Sequence, residues 1–186
     1  MSDILKGDPW KNYKKNYKYI NKRFNLIIDY IKKDIRSDMN ILDIGQQNPF
    51  TLFMQNTLKT KIDNTEGDLD TSFYIPEKKY DIIIYSHTIE HQFNPLHTLL
   101  ETKKYMNHEA LMFIIVPQRP KFLWTKHHFH EIDDHRMNLL IKRAGYKILD
   151  KQTIKVRRSL KFHLSGIRPF LRLFINNQMI YKLKNV

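Results

Sequence analysis

The sequence has no cysteine, only five glycines and no long apolar run. Without cysteine, neither a disulfide framework nor a metal site with thiolate ligands can form. No stretch approaches the roughly 18 apolar residues of a membrane-spanning helix, and the first residues are charged where a secretory signal is apolar. These absences predict a single soluble domain, residues 1–186, in a reducing compartment such as the cytoplasm.

Positive charge is concentrated at the two ends of the chain. Residues 1–33 carry 9 Lys and Arg against 3 Asp and Glu, residues 34–150 carry 14 against 16, and residues 151–186 carry 9 against 0. Basic ends bind nucleic acid phosphates, anionic lipid head groups or acidic substrates, and they also occur as plain solvated surface. Charge by itself leaves these alternatives open.

Short β-branched runs alternate with segments of helical periodicity along the chain. The predicted elements are, in order, a helix ending near Lys33, strands at 41–44, 61–64 and 79–86, a helix at 95–106, a strand at 110–117, a helix at 137–144 and a strand at 146–156. This alternation predicts an α/β fold with a doubly wound, mostly parallel sheet. The core is expected over 38–156, with a helical cap at 1–36 and a basic amphipathic extension at 157–186.

Three polar segments follow predicted strands, namely GQQNPF (45–50), NTEGDLD (64–70) and SHTIEH (86–91). In open parallel sheets, ligands bind beyond the carboxyl ends of the strands, so these segments are the candidate site. The first segment has one glycine, Gly45, where nucleotide-binding turns usually carry two or three. Taken alone, it indicates only a strand followed by a loop.

In their order along the chain, ILDIGQQ, IDNTEGDLD, the stretch from Tyr80 to Pro117 and HHFHEIDDHRMNLLIKRAGYKIL resemble the class I S-adenosylmethionine-dependent methyltransferases. They are most similar to the small bacterial type 11 group, which includes sugar and ubiquinone-type enzymes. The resemblance covers about residues 38–156. It implies a Rossmann-like fold, S-adenosylmethionine as cofactor, and methyl transfer to an oxygen or nitrogen of a small molecule or sugar. The pathway it suggests is the synthesis of cell-surface polysaccharide or lipid.

The resemblance also implies cofactor contacts at all three strand ends. Asp43 and Gly45 would face the methionine part of the cofactor, although Gln47 and Pro49 stand where the family has glycines. One acidic residue would hold the ribose. Asp63, Asp68 and Asp70 all remain candidates, because a helix and a strand that the family has after IDNTE are missing. The expected cofactor-binding residues are Asp43, Gly45, Gln46, Gln47, Asp63, Asp68, Leu69, Asp70, Ser86, His87 and Glu90.

Histidines supply the candidate catalytic bases. By the same resemblance, His87 and His130 are the expected catalytic residues, with His128 as an alternative to His130, because a base must remove the proton of an acceptor hydroxyl. Glu90 alternatively caps the helix that follows it. Asp133 or Asp134 is expected to cap the helix at 137–144.

Metal binding is not expected from either histidine motif. His87, Glu90 and His91 match the HxxEH pattern of zinc peptidases, but that chemistry needs a long helix and a distant third ligand. The second motif, HHFHEIDDH (127–135), does not contain HExxH, since His135 lies five positions after His130. One helical face cannot present both of these histidines.

The basic ends have alternative roles. Ile167, Phe170, Leu171, Phe174 and Ile175 have helical spacing, so residues 164–181 could pack on the core, form a homo-oligomer, or lie on the inner face of an anionic membrane. The N-terminal WKNYKKNYKY mixes aromatics with lysines, as single-strand nucleic acid binders do, yet no RNA-binding module is recognisable. A non-catalytic binding subunit is a further alternative to the enzyme.

Overall fold

The computed structural model describes residues 9–118, 128–129, 132–155, 164, 166 and 177–186. His130 and the apolar stripe at 167–175 therefore lie outside the described residues. The helices and strands, in chain order, are α1 (Pro9–Ile31), β1 (Ile41–Asp43), α2 (Pro49–Leu58), β2 (Ile62–Asn64), β3 (Glu66–Asp68), β4 (Ser72–Tyr74), β5 (Tyr80–Ser86), α3 (Pro95–Lys103), β6 (Met106–Gln118), α4 (Asp134–Arg143), β7 (Tyr146–Lys155) and β8 (Asn177–Asn185).

Six strands form one sheet in the order β2-β1-β5-β6-β8-β7. β2, β1, β5 and β6 are parallel, whereas β8 runs antiparallel to both of its neighbours. This arrangement confirms the predicted doubly wound, mostly parallel sheet. β3 and β4 form a separate antiparallel pair, and residues 65–79, all of them described, include no helix. The connection from β2 to β5 therefore contains the β3–β4 pair and no helix.

Two apolar clusters cover the two faces of the sheet, because neighbouring side chains of a strand point to opposite faces. On one face, the apolar side chains of α1 from Ile20 to Ile31 pack with α2 and with Ile82 and Ile84 of β5. On the other, Ile83 and Tyr85 pack with residues of α3 and α4. Fully burying an isoleucine contributes about 1.5–3 kcal/mol, so the isoleucine run of β5 anchors both layers.

The boundaries of α2 and α4 follow from capping residues. Asn48 caps α2 by accepting hydrogen bonds from the N–H groups of Phe50 and Thr51, while Asn48 N donates to Thr51 Oγ1. Pro49 occupies the first helical position, where proline costs least. α2 is not among the predicted elements, although these residues carry its start signal. Asp133 caps α4, as expected.

β8 corrects the interpretation of the C-terminal segment. Residues 177–185 form a strand inside the sheet, between β6 and β7, rather than the end of a basic amphipathic extension or membrane-facing segment at 164–181. Tyr181 and Leu183 face one apolar cluster and Ile180 faces the other. This period-2 pattern is that of a buried strand. Among the described residues, no helix combines the length and apolar character needed to cross a bilayer.

Candidate functional site

The carboxyl ends of β2, β1 and β5 lie at the same end of the sheet, with β5 extending two residues beyond β1 and β2. Asp43, the last residue of β1, is in register with Asn64 of β2 and Ile84 of β5. The turns that follow the three strands therefore start side by side. This is the edge at which doubly wound sheets bind their ligands.

Asp43 places a buried carboxylate at this edge, with only 1% of its surface exposed. Its Oδ2 accepts a hydrogen bond from Thr51 Oγ1 in the first turn of α2, at 2.5 Å. Its Oδ1 is buried and accepts no hydrogen bond from the described part of the chain. Burial raises the pKa of Asp43 to about 7, against the opposing effect of the Thr51 hydrogen bond. A cationic ligand group would favour its ionised form.

Gly45 ties the turn after β1 to the other two turns. Its φ of +110° lies in the region that L side chains rarely adopt. Gly45 N donates to Thr65 Oγ1 at 2.8 Å, and Asn64 Nδ2 donates to both Asp43 O and Gly45 O, at 3.0 and 2.9 Å. A Cβ on Gly45 would lie 3.5 Å from Thr88 Oγ1. The single glycine thus stands where the three turns converge.

The rest of the glycine-poor turn is a helix start. Gln46 and Gln47 are exposed, and Asn48 Nδ2 donates to Gln46 O at 3.2 Å. α2 begins immediately afterwards, at Pro49. The first turn of α2 carries the first N–H groups of the helix and also Thr51, the hydrogen-bond partner of Asp43. The turn is therefore ordered by a capping box instead of by further glycines.

Asp63, the first of the three ribose candidates, is held within β2. Its carboxylate accepts a hydrogen bond from Tyr80 OH at 3.0 Å and pairs with Lys78 Nζ at 2.6 Å. Burial opposes ionisation, but the bonds from Lys78 and Tyr80 keep the pKa of Asp63 below its ordinary value. The side chain thus joins β2 to the start of β5.

Asp68 and Asp70, the other candidates, lie at and just after the end of β3. Asp70 Oδ1 accepts hydrogen bonds from Phe93 N and Asn94 N, at 2.9 and 2.8 Å, and so fixes the loop before α3. Asp68 is exposed and its Oδ1 accepts from Asp70 N at 3.0 Å. Leu69, between them, is buried in the core. Of the three acids, Asp68 presents the most accessible carboxylate near the strand ends.

The turn after β5 brings His87 against Glu90. His87 follows Ser86 with a φ of +53°, which is uncommon for a residue with a side chain. Its backbone N donates to Ile115 O at 2.9 Å, and its Nδ1 lies 3.2 Å from Glu90 Oε1. Left-handed backbone at a non-glycine residue costs free energy and clusters at functional sites. The backbone hydrogen bond to Ile115 and the contact with Glu90 together fix the position of the His87 ring.

Glu90 does not cap α3. It lies in a 3-10 turn, Ile89–His91, and α3 begins only at Pro95 with Asn94 as its N-cap. The expected capping role is therefore wrong, because four residues separate Glu90 from the helix. Its carboxylate is instead buried, with 2% of the residue exposed. Burial would raise the pKa of Glu90, but the hydrogen bond and charge of His87, with the charge of His91, lower it below the ordinary value.

The two histidine motifs of the sequence meet in space. The rings of His91 and His128 contact each other edge to face, with centroids 4.8 Å apart. Beside them, the rings of Phe93 and Phe129 stack with centroids 4.1 Å apart. This aromatic pair is exposed, 65% for Phe93 and 37% for Phe129. His128 is far from His91 in the sequence. The only sequence feature that pointed to a role for His128 was the cluster of histidines around it.

Solved structures with the same fold were found. One is a putative methyltransferase in complex with the Haloferax volcanii Trm112 methyltransferase activator, 11% identical, with a TM-score of 0.64 over 95% of this chain and 92% of that one. Another is the plantazolicin methyltransferase BpumL in complex with SAH, 15% identical, with a TM-score of 0.63 over 100% and 92%. The [4+2]-cyclase SpnF is 10% identical, with a TM-score of 0.60 over 86% and 80%.

These likenesses establish the fold. No protein-family model matches the sequence, and no curated protein is significantly similar to it. The chain has the Rossmann-like fold of the S-adenosylmethionine-dependent methyltransferases, as the resemblance implied. One of the matching proteins is a cyclase, so the reaction has to be argued from the site itself.

Proposed function

We propose that this protein transfers the methyl group of S-adenosylmethionine to an oxygen or nitrogen of a small molecule, with a sugar as the favoured acceptor. The observation that carries this proposal is the buried Asp43 carboxylate, whose Oδ1 accepts no hydrogen bond from a described residue. It lies at the carboxyl end of β1, next to the positive-φ turn at Gly45. A cationic ammonium group is the ligand chemistry that this oxygen fits.

The residues of the three strand ends fit the proposed cofactor. Asp43 would bind the ammonium group, and Gly45 would let the backbone approach the cofactor closely. The exposed carboxylate of Asp68 would reach the ribose. Ser86 and His87 would line the opposite side, from the turn after β5. The cofactor supplies an electrophilic methyl group, and the protein supplies its alignment with the acceptor atom.

A histidine would take the proton of a hydroxyl acceptor. His87 fits this role because Glu90 Oε1 lies 3.2 Å from its Nδ1 and fixes the ring. A carboxylate beside a histidine favours the protonated imidazolium that forms when it acts as a base. His130, the other expected base, lies outside the described residues, two positions after His128.

Cofactor affinity should depend on pH through Asp43. The pKa of Asp43 is about 7 in the unbound protein, and an ammonium group binds its ionised form. The ionised fraction rises from about one-tenth at pH 6 to about nine-tenths at pH 8, so the association constant for S-adenosylhomocysteine should rise about tenfold over this range and then level off. Calorimetric titrations between pH 5.5 and 8.5 measure this dependence.

A matched ligand isolates the contribution of the ammonium group. 5′-Methylthioadenosine shares the adenosine part but has no amino acid part, so its affinity should stay constant over the same pH range. Equal pH dependence for both ligands would assign the effect to another group. An absence of any binding of S-adenosylhomocysteine to folded protein at millimolar concentration would refute the proposed function.

The aromatic pair Phe93 and Phe129 supports an acceptor with a ring. Exposed aromatic faces beside a catalytic site bind the apolar faces of small molecules. With a panel of nucleotide sugars as acceptors, Phe93→Ala should raise KM by roughly tenfold, the loss of about 1.4 kcal/mol of contact, and leave the affinity for S-adenosylhomocysteine unchanged. Tyr17→Ala, at an exposed aromatic of α1, is the control. Equal KM values in the two variants would exclude the aromatic pair from the acceptor site.

A further inference from the structure

We propose that Glu90, His91 and His128 bind a divalent transition metal ion, with zinc as the favoured ion. Each residue offers one ligand atom, and these atoms lie within 4.8 Å of one another. Ligands at about 2.0–2.2 Å from one ion are separated by roughly 3–4 Å. Small rotations of the three side chains would therefore complete the coordination, without movement of the backbone.

The ligand types fit such an ion. Two imidazoles and one carboxylate form the protein part of catalytic zinc sites, and imidazole also suits copper, iron and nickel. Calcium and magnesium prefer oxygen ligands throughout, so they fit this set poorly. Three protein ligands leave at least one position open for water or for an oxygen of another molecule.

The environment of Glu90 points to a missing partner. Its carboxylate is buried; Oε1 lies 3.2 Å from His87 Nδ1, whereas Oε2 accepts no hydrogen bond from the described part of the chain. A buried carboxylate oxygen without a partner is costly, and a cation removes this cost.

His87 has the role of an outer partner rather than of a ligand. Metal-bound carboxylates are themselves hydrogen-bonded, which orients them and tunes their basicity. His87 Nδ1, beside Glu90 Oε1, leaves Oε2 as the coordinating oxygen. The HxxEH pattern therefore contributes Glu90 and His91 from its 3-10 turn, and the third ligand comes from the other histidine motif. A contact between distant segments of the chain thus brings the three ligands together, whereas zinc peptidases use a long helix for this.

The position of the ion would deepen the proposed function, on which this step rests. The 3-10 turn begins three residues after the end of β5, at the end of the sheet that carries Asp43 and Gly45. An ion there would bind the acceptor hydroxyl at its open position and lower the pKa of that hydroxyl. The hydroxyl proton would pass to a base such as His87. The acceptor oxygen would form a bond to the methyl carbon as the carbon–sulfur bond of S-adenosylmethionine breaks, S-adenosylhomocysteine would leave, and the charge of the metal ion would not change.

Calorimetric titration of the chelator-treated full-length protein with Zn²⁺, Co²⁺ and Mn²⁺ tests the site. We expect one ion per chain, and Co²⁺ should develop the visible absorption of a coordinated ion. His128→Ala and Glu90→Gln should each weaken binding by about 100-fold or more, beyond the loss that outer-shell changes cause. His108→Ala removes a histidine whose side chain is 95% exposed, and it should bind like the unchanged protein.

Two further measurements separate the metal site from the proposed function. Metal affinity should fall in acid, because protons compete with the metal ion for the imidazole nitrogens. His128→Ala should still bind S-adenosylhomocysteine normally. Absence of stoichiometric metal binding, or equal binding by His128→Ala and His108→Ala, would overturn the metal site and leave methyl transfer standing. Failure of the unchanged protein to bind S-adenosylhomocysteine would instead reject the proposed function, whatever the metal result.

Discussion

An Asp43→Asn variant should bind S-adenosylhomocysteine roughly 10- to 100-fold more weakly than the unchanged protein at pH 8. A hydrogen bond to a charged group contributes about 1.5–3 kcal/mol, and every 1.4 kcal/mol corresponds to a factor of ten in affinity. The amide has the shape of the carboxylate and can still accept the hydrogen bond from Thr51 Oγ1. The fold should therefore remain, while the charge that meets the ammonium group is lost.

Asp81→Asn is the matched control for this change. Asp81 lies at the amino end of β5, at the opposite end of the strands from Asp43. There it accepts hydrogen bonds from Asn40 N and Asn107 Nδ2 at 2.9 and 2.6 Å. The same substitution there should leave cofactor affinity unchanged. Calorimetry at pH 8 measures both variants, and circular dichroism verifies their folding. Similar affinities for Asp43→Asn and Asp81→Asn would remove Asp43 from the cofactor site.

Deleting residues 177–186 should prevent the protein from folding. β8 pairs with both β6 and β7, so its removal leaves β7 without any partner and exposes one side of β6, which keeps only β5. Ile180, Tyr181 and Leu183 are fully buried, and truncating one large core side chain already costs about 2–5 kcal/mol. Domains have a total stability of about 5–15 kcal/mol. Circular dichroism and urea denaturation of the truncated chain test this prediction.

The contribution of β8 to stability can also be measured with a single substitution that leaves the protein folded. Ile180→Ala should lower the free energy of unfolding by about 2–5 kcal/mol. Leu149→Ala, at an exposed position of the neighbouring β7, should change it by less than about 0.5 kcal/mol. A truncated chain that still unfolds cooperatively would contradict the central place of β8. Such a result would return the C-terminal segment to an accessory role, including contact with a membrane.

The strands of the parallel core could be predicted because their signals are local. Three consecutive isoleucines and a polar end predict β5, and the spacing from Ile20 to Ile31 predicts the buried face of α1. β8 was missed because its alternating pattern, NQMIYKLKN, is shorter than the helical stripe that precedes it. Its pairing partners lie far away in the chain, so local periodicity does not specify its place.

The candidate site was predictable in part for the same reason. Asp43 ends a recognisable strand and Gly45 follows it, and the order of the motifs assigned them a role. Thr51, Asn64 and Thr65 were not predicted, although they hold Asp43 and Gly45 in place. These three residues lie on other elements, and their roles depend on how the turns after β1 and β2 converge.

The sequence by itself determined the four parallel strands, the helices α1, α3 and α4, the resemblance to the methyltransferase fold and the turn at Gly45. Periodicity, β-branching and capping act between residues near one another in the chain, so they can be recognised in the sequence. Only the tertiary structure decided that residues 177–185 complete the sheet and that His91 meets His128 beside a buried Glu90. Those contacts join distant segments, because closing the sheet and its loops brings together residues that no local pattern relates.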